Sequence, residues 1–169
     1  MKGGFRFCGS LYNMTAEKIV DLLKKKNLKI SAAESCTGGL LAKTFTDISG
    51  VSDVFELGCV VYSNRMKHSL LKVNNETLDK YGAVSSQTAG ELSRGICRLA
   101  NSDIGVGITG IAGPTGGTLE KPVGLVYFSI YTKWDNKTYE QKLLLKGSRS
   151  EIRTQTVENV LIKLNEILN

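Results

Sequence analysis

Residues 28–50 of this chain read LKISAAESCTGGLLAKTFTDISG, and this stretch decides the fold. Leu28 to Ala33 is predicted to be a short strand. Residues 34–39 are acidic, small, hydroxylated or glycine, as expected for a turn. From Gly38 to Ile48 apolar residues recur at helical spacing, and Gly50 ends the pattern, so we expect a helix there. A strand followed directly by a helix is the repeating unit of α/β proteins.

The same alternation continues along the chain. Further strands are predicted at Leu57–Ser63, Ile104–Thr109, Val123–Tyr131 and Lys137–Leu145. Helix starts are predicted at Thr15 and Ser85 as N-caps and at the capping box formed by Ser148 and Glu151. The last two strands form a hairpin across Asp135-Asn136. We therefore predict an α/β fold, a three-layer α/β/α sandwich with a mixed, partly parallel sheet.

Composition limits the class of protein. The chain has 169 residues, of which 41% are hydrophobic and 22% charged, so one globular domain is expected. Residues 1–13 lack periodicity and are predicted to be an N-terminal arm, which leaves residues 14–169 as a single domain. The first residues are basic but carry no apolar signal core, and no run approaches the ~20 apolar residues of a membrane span. We expect a cytoplasmic protein.

The titratable residues narrow the chemistry further. Twenty-two basic against 16 acidic residues give a net charge of +6, which suits a small anionic ligand. The four cysteines lack metal-ligand spacing, and His68 is the only histidine, so no metal site is expected. We expect His68 to be an ordinary surface residue. Any hydrolytic reaction must therefore use a base other than imidazole.

Ligands of open α/β sheets bind beyond the carboxyl ends of strands, so the unusual loops are the candidate site. Four stand out, at residues 33–39, 50–53, 62–67 and 107–117. In the first, free amides around Gly38 and Gly39 can bind an anion, or Ser35 or Thr37 can simply cap the helix. In the second, Ser52 by itself is typical of a cap.

The remaining two loops offer a candidate base and a glycine-rich wall. Tyr62 closes a buried strand and Lys67 lies in the next helical turn, so both can face one cleft, although a lone lysine is usually solvated. The segment 107–117 contains five glycines, which let a ligand approach the backbone closely. Arg149, at the start of the last helix, can bind a phosphate or lie on the surface without function.

Taken together, these segments resemble the CinA C-terminal domain family, whose active members are nicotinamide-nucleotide (NMN) deamidases. The residues that carry the resemblance are AESCTGG at 33–39, Gly58 with VVYSN at 60–64, Lys67, YGAVS at 81–85, GITGIAGPTGG at 107–117 and KPVG at 121–124. The resemblance implies a stand-alone domain, without the molybdopterin-binding-like domain that precedes it in longer members. It also implies a homo-oligomer.

The resemblance implies hydrolysis of the carboxamide of nicotinamide mononucleotide to nicotinic acid mononucleotide and ammonia, with no metal or cofactor. The implied nucleophile is Ser52, with Tyr62 and Lys67 as its activating neighbours. The pocket positions that the resemblance implies are Ser35, Thr109 and Arg149.

The reaction makes one physical demand on this chain. A serine hydroxyl needs a base, and Lys67 serves only when neutral, which requires its pKa to fall from about 10.4 to roughly 7–8. Amides of Gly38, Gly39 and Gly110 are expected to hold the oxyanion. Arg149 and the backbone of residues 113–117 are expected to bind the substrate phosphate.

A non-catalytic module that binds a nucleotide or a protein, in competence or DNA-damage functions, is the alternative. Such a module has no need for Ser52, Tyr62 and Lys67 together. Direct nucleic-acid binding is disfavoured because aromatic residues are only 7% of the chain and the basic residues are scattered.

Overall fold

The computed structural model describes residues 9–169, with side chains from Thr15 onward. The helices are α1 (Gly9–Lys26), α2 (Leu40–Thr46), α3 (Asn64–Leu71), α4 (Asn75–Tyr81), α5 (Ser86–Ala100) and α6 (Arg149–Leu168). The strands are β1 (Ile30–Glu34), β2 (Phe55–Val60), β3 (Ile104–Gly110), β4 (Leu125–Thr132) and β5 (Lys137–Leu144). A single 3-10 turn, Val51–Asp53, lies between α2 and β2.

The five strands form one mixed sheet in the order β2-β1-β3-β4-β5. Strand β1 pairs in parallel with β2 on one side and with β3 on the other, whereas β4 and β5 are antiparallel. The chain leaves β1 first toward β2 and later toward β3. The carboxyl ends of β1 and β3 therefore form a topological switch point, where ligands of α/β sheets bind.

Helices cover both faces of the sheet, which confirms the predicted three layers. Helices α1, α2 and α6 pack together on one face, and α5 lies on the other with α3 and α4 against it. The larger core cluster lies beneath α1, α2 and α6, and includes Ile19, Phe45, Ile104, Phe128 and Leu161. A smaller cluster, including Val61, Leu71 and Ile96, lies on the α5 side.

Two glycines let α5 rest directly on the backbone of β3. A Cβ atom at Gly105 would lie 2.0 Å from the carbonyl oxygen of Ser93, and one at Gly107 would lie 2.4 Å from that of Ala89. Real side chains do not tolerate such distances, so the GVG sequence of β3 sets how closely α5 packs.

The start of the domain needs a correction. Helix α1 begins at Gly9, so Thr15 lies inside the helix rather than at its N-cap. Of the predicted arm, residues 9–13 are helical, and residues 1–8 lie outside the described residues. The physical reason is that no proline or glycine interrupts residues 10–26, so nothing stops the helix from extending toward the N-terminus. Among the helices of residues 9–169, none is both long and apolar enough to cross a bilayer.

Candidate functional site

A cleft of about 260 Å³ opens at the carboxyl edge of the sheet, around the switch point. Segments that follow three neighbouring strands meet there, and α6 contributes its first residue. The lining residues include Ser35 after β1, Tyr62 and Lys67 after β2, residues 109–116 around the end of β3, and Arg149. None of the residues that line the cleft is acidic. The cleft therefore favours an anionic or electron-rich ligand.

Ser35 and Lys67 meet at the floor of this cleft. The Nζ atom of Lys67 lies 3.3 Å from the Oγ atom of Ser35, and only 1% of the lysine and 8% of the serine is exposed. Lys67 Nζ also donates to the carbonyl oxygens of Val61, at 2.9 Å, and Tyr62, at 3.2 Å. A lysine this deeply buried, with no carboxylate partner among these contacts, is uncommon because desolvation of its charge is costly.

Backbone pairing beyond the strands holds the two side chains in place. The amide of Ser35 donates to Ile108, and the amide of Val61 donates to Glu34, so both segments continue the sheet. Helix α3 begins immediately afterwards because Ser63 caps it, with its Oγ accepting from the Met66 amide at 3.2 Å. Lys67 thus lies in the first turns of α3, close to the end of β2, and its side chain reaches back to the carbonyls that follow that strand.

Burial makes the Lys67 amine easier to deprotonate than an ordinary lysine. Burial lowers the pKa of Lys67 below its ordinary 10.5, and the neighbouring Cys36 thiol opposes this shift more weakly. Burial raises the pKa of Cys36 to about 12, so that thiol carries no charge at neutral pH. When Lys67 is deprotonated, its amine has two N–H groups for the Val61 and Tyr62 carbonyls and one lone pair. That lone pair is left for the hydroxyl proton of Ser35.

The structure does not bring Ser52 to this cluster. Its 3-10 turn precedes β2, and the amide of Ile30 at the start of β1 donates to Val54 at 2.8 Å, so Ser52 lies at the amino edge of the sheet. Five residues of β1 separate that edge from Ser35, roughly 16 Å at the rise of a strand. Ser52 is exposed. The prediction that Lys67 activates Ser52 is therefore wrong, and Ser35 is the hydroxyl that Lys67 contacts.

Tyr62 and Arg149 form the outer wall of the cleft. Arg149 Nη1 donates to the carbonyl of Gly113 at 2.8 Å, and Nη2 lies 3.4 Å from the hydroxyl of Tyr62. The Tyr62 side chain is 65% exposed, so it lies at the mouth rather than beside the lysine amine. Its backbone carbonyl, not its hydroxyl, contacts Lys67.

The other predicted residues divide between lining and support. Thr109 and Gly110 line the cleft, and Thr109 Oγ1 donates to the carbonyl of Ala83 at 2.7 Å, which fixes the neighbouring wall. Thr37 is fully buried and does not line the cleft. His68 is exposed and its Nδ1 lies 2.8 Å from the carbonyl of Val73, so the prediction of a surface histidine outside the site is confirmed.

Comparison with known proteins identifies the family. The sequence profile of the CinA C-terminal domain matches residues 13–168. The chain belongs to the CinA C-terminal domain family. A CinA-like protein of Kosmotoga olearia is 54% identical over 139 residues, which cover 82% of this chain and 33% of that protein. The chain spans about a third of the length of the curated relatives it matches.

Crystal structures of family members have the same fold. The competence/damage inducible protein CihA from Agrobacterium tumefaciens is 39% identical, with a TM-score of 0.88 over 91% of this chain and 95% of that one. A CinA superfamily protein from Klebsiella pneumoniae is 30% identical, with a TM-score of 0.89 over 93% of this chain and 97% of that one.

In this CinA-family chain, the carboxylate of Glu34 binds the amides at the start of α2, where a ligand was expected to bind. Glu34 is buried, and its carboxylate accepts from the amides of Gly39 at 3.1 Å, Leu41 at 3.1 Å and Ala42 at 2.8 Å. The amide of Gly38 donates to the carbonyl of Ser35. The prediction that Gly38 and Gly39 hold the oxyanion is therefore wrong, because both amides already have acceptors within the protein.

Other amides of the same loop are available. Within the described residues, the amides of Cys36 and Thr37 donate to no carbonyl or carboxylate. Arg153, one turn after Arg149 on α6, donates through Nε to the carbonyl of Thr37 at 2.9 Å and so holds the loop from the other side. The sequence analysis missed Glu34 and Arg153. Glu34 did have a sequence signal, since an acidic residue shortly before a helix can interact favourably with the positive helix N-terminus.

We expect Glu34→Gln to destabilise the domain. An amide side chain keeps one acceptor oxygen but turns a donor toward the amides that the carboxylate now accepts, which costs about 1–3 kcal/mol of unfolding free energy. Denaturant unfolding measures the loss. The matched control is Glu56→Gln, an exposed carboxylate on β2, for which we expect a change within about 0.5 kcal/mol. Equal effects of the two substitutions would contradict this role of Glu34.

Proposed function

We propose that this domain hydrolyses the carboxamide of nicotinamide mononucleotide, with Ser35 as the nucleophile and neutral Lys67 as its base. The observation that carries the proposal is the 3.3 Å contact between Ser35 Oγ and the buried Lys67 amine at the floor of the cleft. Nucleophile and base within hydrogen-bond reach, with the base desolvated, are what covalent amide hydrolysis requires. The products are nicotinic acid mononucleotide and ammonia.

Acylation begins when Lys67 takes the hydroxyl proton of Ser35 as the oxygen attacks the carboxamide carbon. Negative charge develops on the carbonyl oxygen, and amides facing that oxygen stabilise it. The Cys36 amide is our candidate for this role, because Cys36 lines the cleft and its amide has no competing carbonyl or carboxylate acceptor in the described structure. Protonated Lys67 then gives its proton to the nitrogen as the carbon–nitrogen bond breaks, and ammonia leaves.

Deacylation reverses the roles of the same two groups. Water attacks the ester on Ser35, Lys67 accepts the proton of the water, and the ester carbon–oxygen bond breaks. Lys67 returns that proton to the oxygen of Ser35. The amine starts and ends the cycle uncharged, and the positively charged pyridinium ring of the substrate helps to keep it so, because like charges nearby disfavour protonation.

Arg149 and the glycine-rich loop suit the phosphate of the same substrate. Arg149 already donates to the Gly113 carbonyl and lies at the first position of α6, where the helix dipole also favours an anion. The loop residues Gly113, Thr115 and Gly116 line the same wall. A phosphate here leaves the carboxamide end of the nucleotide directed to the floor of the cleft.

We expect Arg149→Gln to raise the KM for nicotinamide mononucleotide by about 10- to 100-fold, the cost of one charge-assisted phosphate contact. The corresponding riboside lacks the phosphate, and its kcat/KM is expected to be nearly unchanged by the substitution. Steady-state kinetics on both substrates measure the difference. An equal loss on both would place Arg149 outside the phosphate site.

The activity itself is tested by measuring ammonia release from nicotinamide mononucleotide with the purified domain. We expect stoichiometric formation of nicotinic acid mononucleotide. Binding of the nucleotide without release of ammonia would instead favour a non-catalytic binding module.

A further inference from the structure

A second concave surface lies at the opposite edge of the sheet. It has a volume of about 370 Å³ and lies between the last turns of α5 and the end of β4. Its lining residues are Arg94, Cys97, Arg98, Asn101, Tyr131 and Lys133. It shares no lining residue with the cleft that contains Ser35 and Lys67. We call it the α5/β4 cleft.

Three cationic side chains line the α5/β4 cleft, and each donates to a neutral partner. Arg94 donates to the hydroxyl of Thr138 at 2.7 Å, and its guanidinium lies 5.9 Å from the centre of the Tyr131 ring. Arg98 donates to a backbone carbonyl at 3.3 Å, and Lys133 donates to the side-chain oxygen of Asn101 at 2.9 Å. Among the described residues, no ion pair includes any of the three cations.

No acidic residue is among those that line the cleft. Asp103 lies nearby, but its carboxylate accepts from the amide of Lys29 at 2.8 Å and does not line the cleft. Cys97 is buried at the floor and its thiol donates to the carbonyl of Ser102. Burial raises the pKa of that thiol, so it stays uncharged at neutral pH.

We propose that the α5/β4 cleft binds a small phosphorylated anion. Arg94 and Arg98 are four residues apart on α5 and therefore project from the same helix face, with Lys133 approaching from the end of β4. Guanidinium groups present parallel N–H donors that match phosphate oxygens, and the ammonium adds a third point of charge. A concave surface whose only charged lining residues are cations concentrates anions, because the low-dielectric walls focus the field.

The fluorescence of Trp134 can report binding of an anion in the α5/β4 cleft. Trp134 is the only tryptophan, follows Lys133 directly and is 51% exposed. The Ser35–Lys67 cleft does not include it. We therefore expect inorganic pyrophosphate, used as the probe, to change the Trp134 fluorescence in a saturable way with the wild-type domain.

Matched variants separate this site from general charge effects. The double variant Arg94→Gln/Arg98→Gln is expected to weaken the pyrophosphate affinity at least tenfold, and both side chains are exposed, so folding should survive. Lys18→Gln/Lys25→Gln on α1 removes the same charge on the other face of the sheet and should bind like the wild type. Lys133→Gln provides a second test within the cleft, with a weaker affinity expected.

Three results would overturn the proposal. The first is no saturable fluorescence change in the wild type at millimolar pyrophosphate. The second is equal weakening by the two double variants, which would mean that net charge alone attracts the anion. The third is loss of the signal in Arg149→Gln, which would place the anion in the other cleft.

Discussion

Ser35→Ala is expected to lower kcat for nicotinamide mononucleotide by more than about a thousandfold, whereas Ser52→Ala keeps nearly full activity. The loss of a nucleophile leaves only the contribution of binding and oxyanion stabilisation to the rate. Ser35 is the hydroxyl that Lys67 contacts, and Ser52 lies at the opposite edge of the sheet, exposed and before β2. Each substitution removes one serine hydroxyl from the chain, so each variant serves as the control for the other.

Ammonia release and product formation, measured for both variants and the wild type, decide between the two serines. The unfolding midpoint of Ser35→Ala should stay close to the wild-type value, because a single 3.3 Å contact is lost. Wild-type activity in Ser35→Ala, or loss of activity in Ser52→Ala with the fold intact, would contradict the assignment.

Lys67→Met and Lys67→Arg are expected to abolish the activity for different reasons. Methionine cannot accept the proton of Ser35. Arginine keeps a positive charge at every accessible pH and therefore has no lone pair to offer. An arginine that supports hydrolysis at an appreciable rate would exclude general-base catalysis by this side chain.

The wild-type rate should rise with pH through an apparent pKa below the 10.5 of an ordinary lysine and reach a plateau above it. The direction follows from the base, which acts only when unprotonated. Burial is the cause of the lowered pKa, so the neutral form is already populated at lower pH than in a free lysine. A rate that does not change between pH 6 and 10 would contradict a titrating lysine.

The same lowered pKa predicts a cost in stability. Below the pKa that Lys67 has in the folded protein, the lysine is charged in both the folded and the unfolded chain. Burial of that charge then destabilises the folded state by its full amount. Between the folded and unfolded pKa values the unfolded chain binds more protons, so stability rises with pH until about 10.5. Lys67→Met should therefore raise Tm at neutral pH, and its advantage should shrink as the pH approaches that value. Thermal unfolding across this range checks both signs.

Much of the fold follows from local sequence patterns. The caps at Ser85 and Ser148 confirm the predicted starts of α5 and α6, the latter as a full capping box. Strand β3 was predicted at residues 104–109 and is observed at Ile104–Gly110. The prediction succeeded because an unbroken apolar run between a helix and a glycine-rich loop is typical of a buried strand. The start of α1 was missed, since residues 9–13 lack an apolar stripe and are nevertheless helical.

The site was harder to predict because the partners of a side chain depend on which edge of the sheet it reaches. Ser35 and Lys67 follow β1 and β2, and so both reach the carboxyl edge, whereas Ser52 precedes β2. The rule that ligands bind beyond strand ends thus already favoured Ser35. The acceptor of the Gly39 amide had only a general signal, an acidic residue shortly before a helix. The Glu34 carboxylate lies five residues before Gly39 and contacts its amide only in the folded chain.

The most direct test of the central claim is to identify the acylated residue during turnover. The domain is mixed with excess nicotinamide mononucleotide, quenched in acid within the first turnover, digested and examined by peptide mass spectrometry. The account predicts a nicotinoyl mononucleotide ester on the peptide that contains Ser35, absent in Ser35→Ala. An ester on the peptide that contains Ser52, or ammonia released in the first turnover with no ester on any residue, would contradict it.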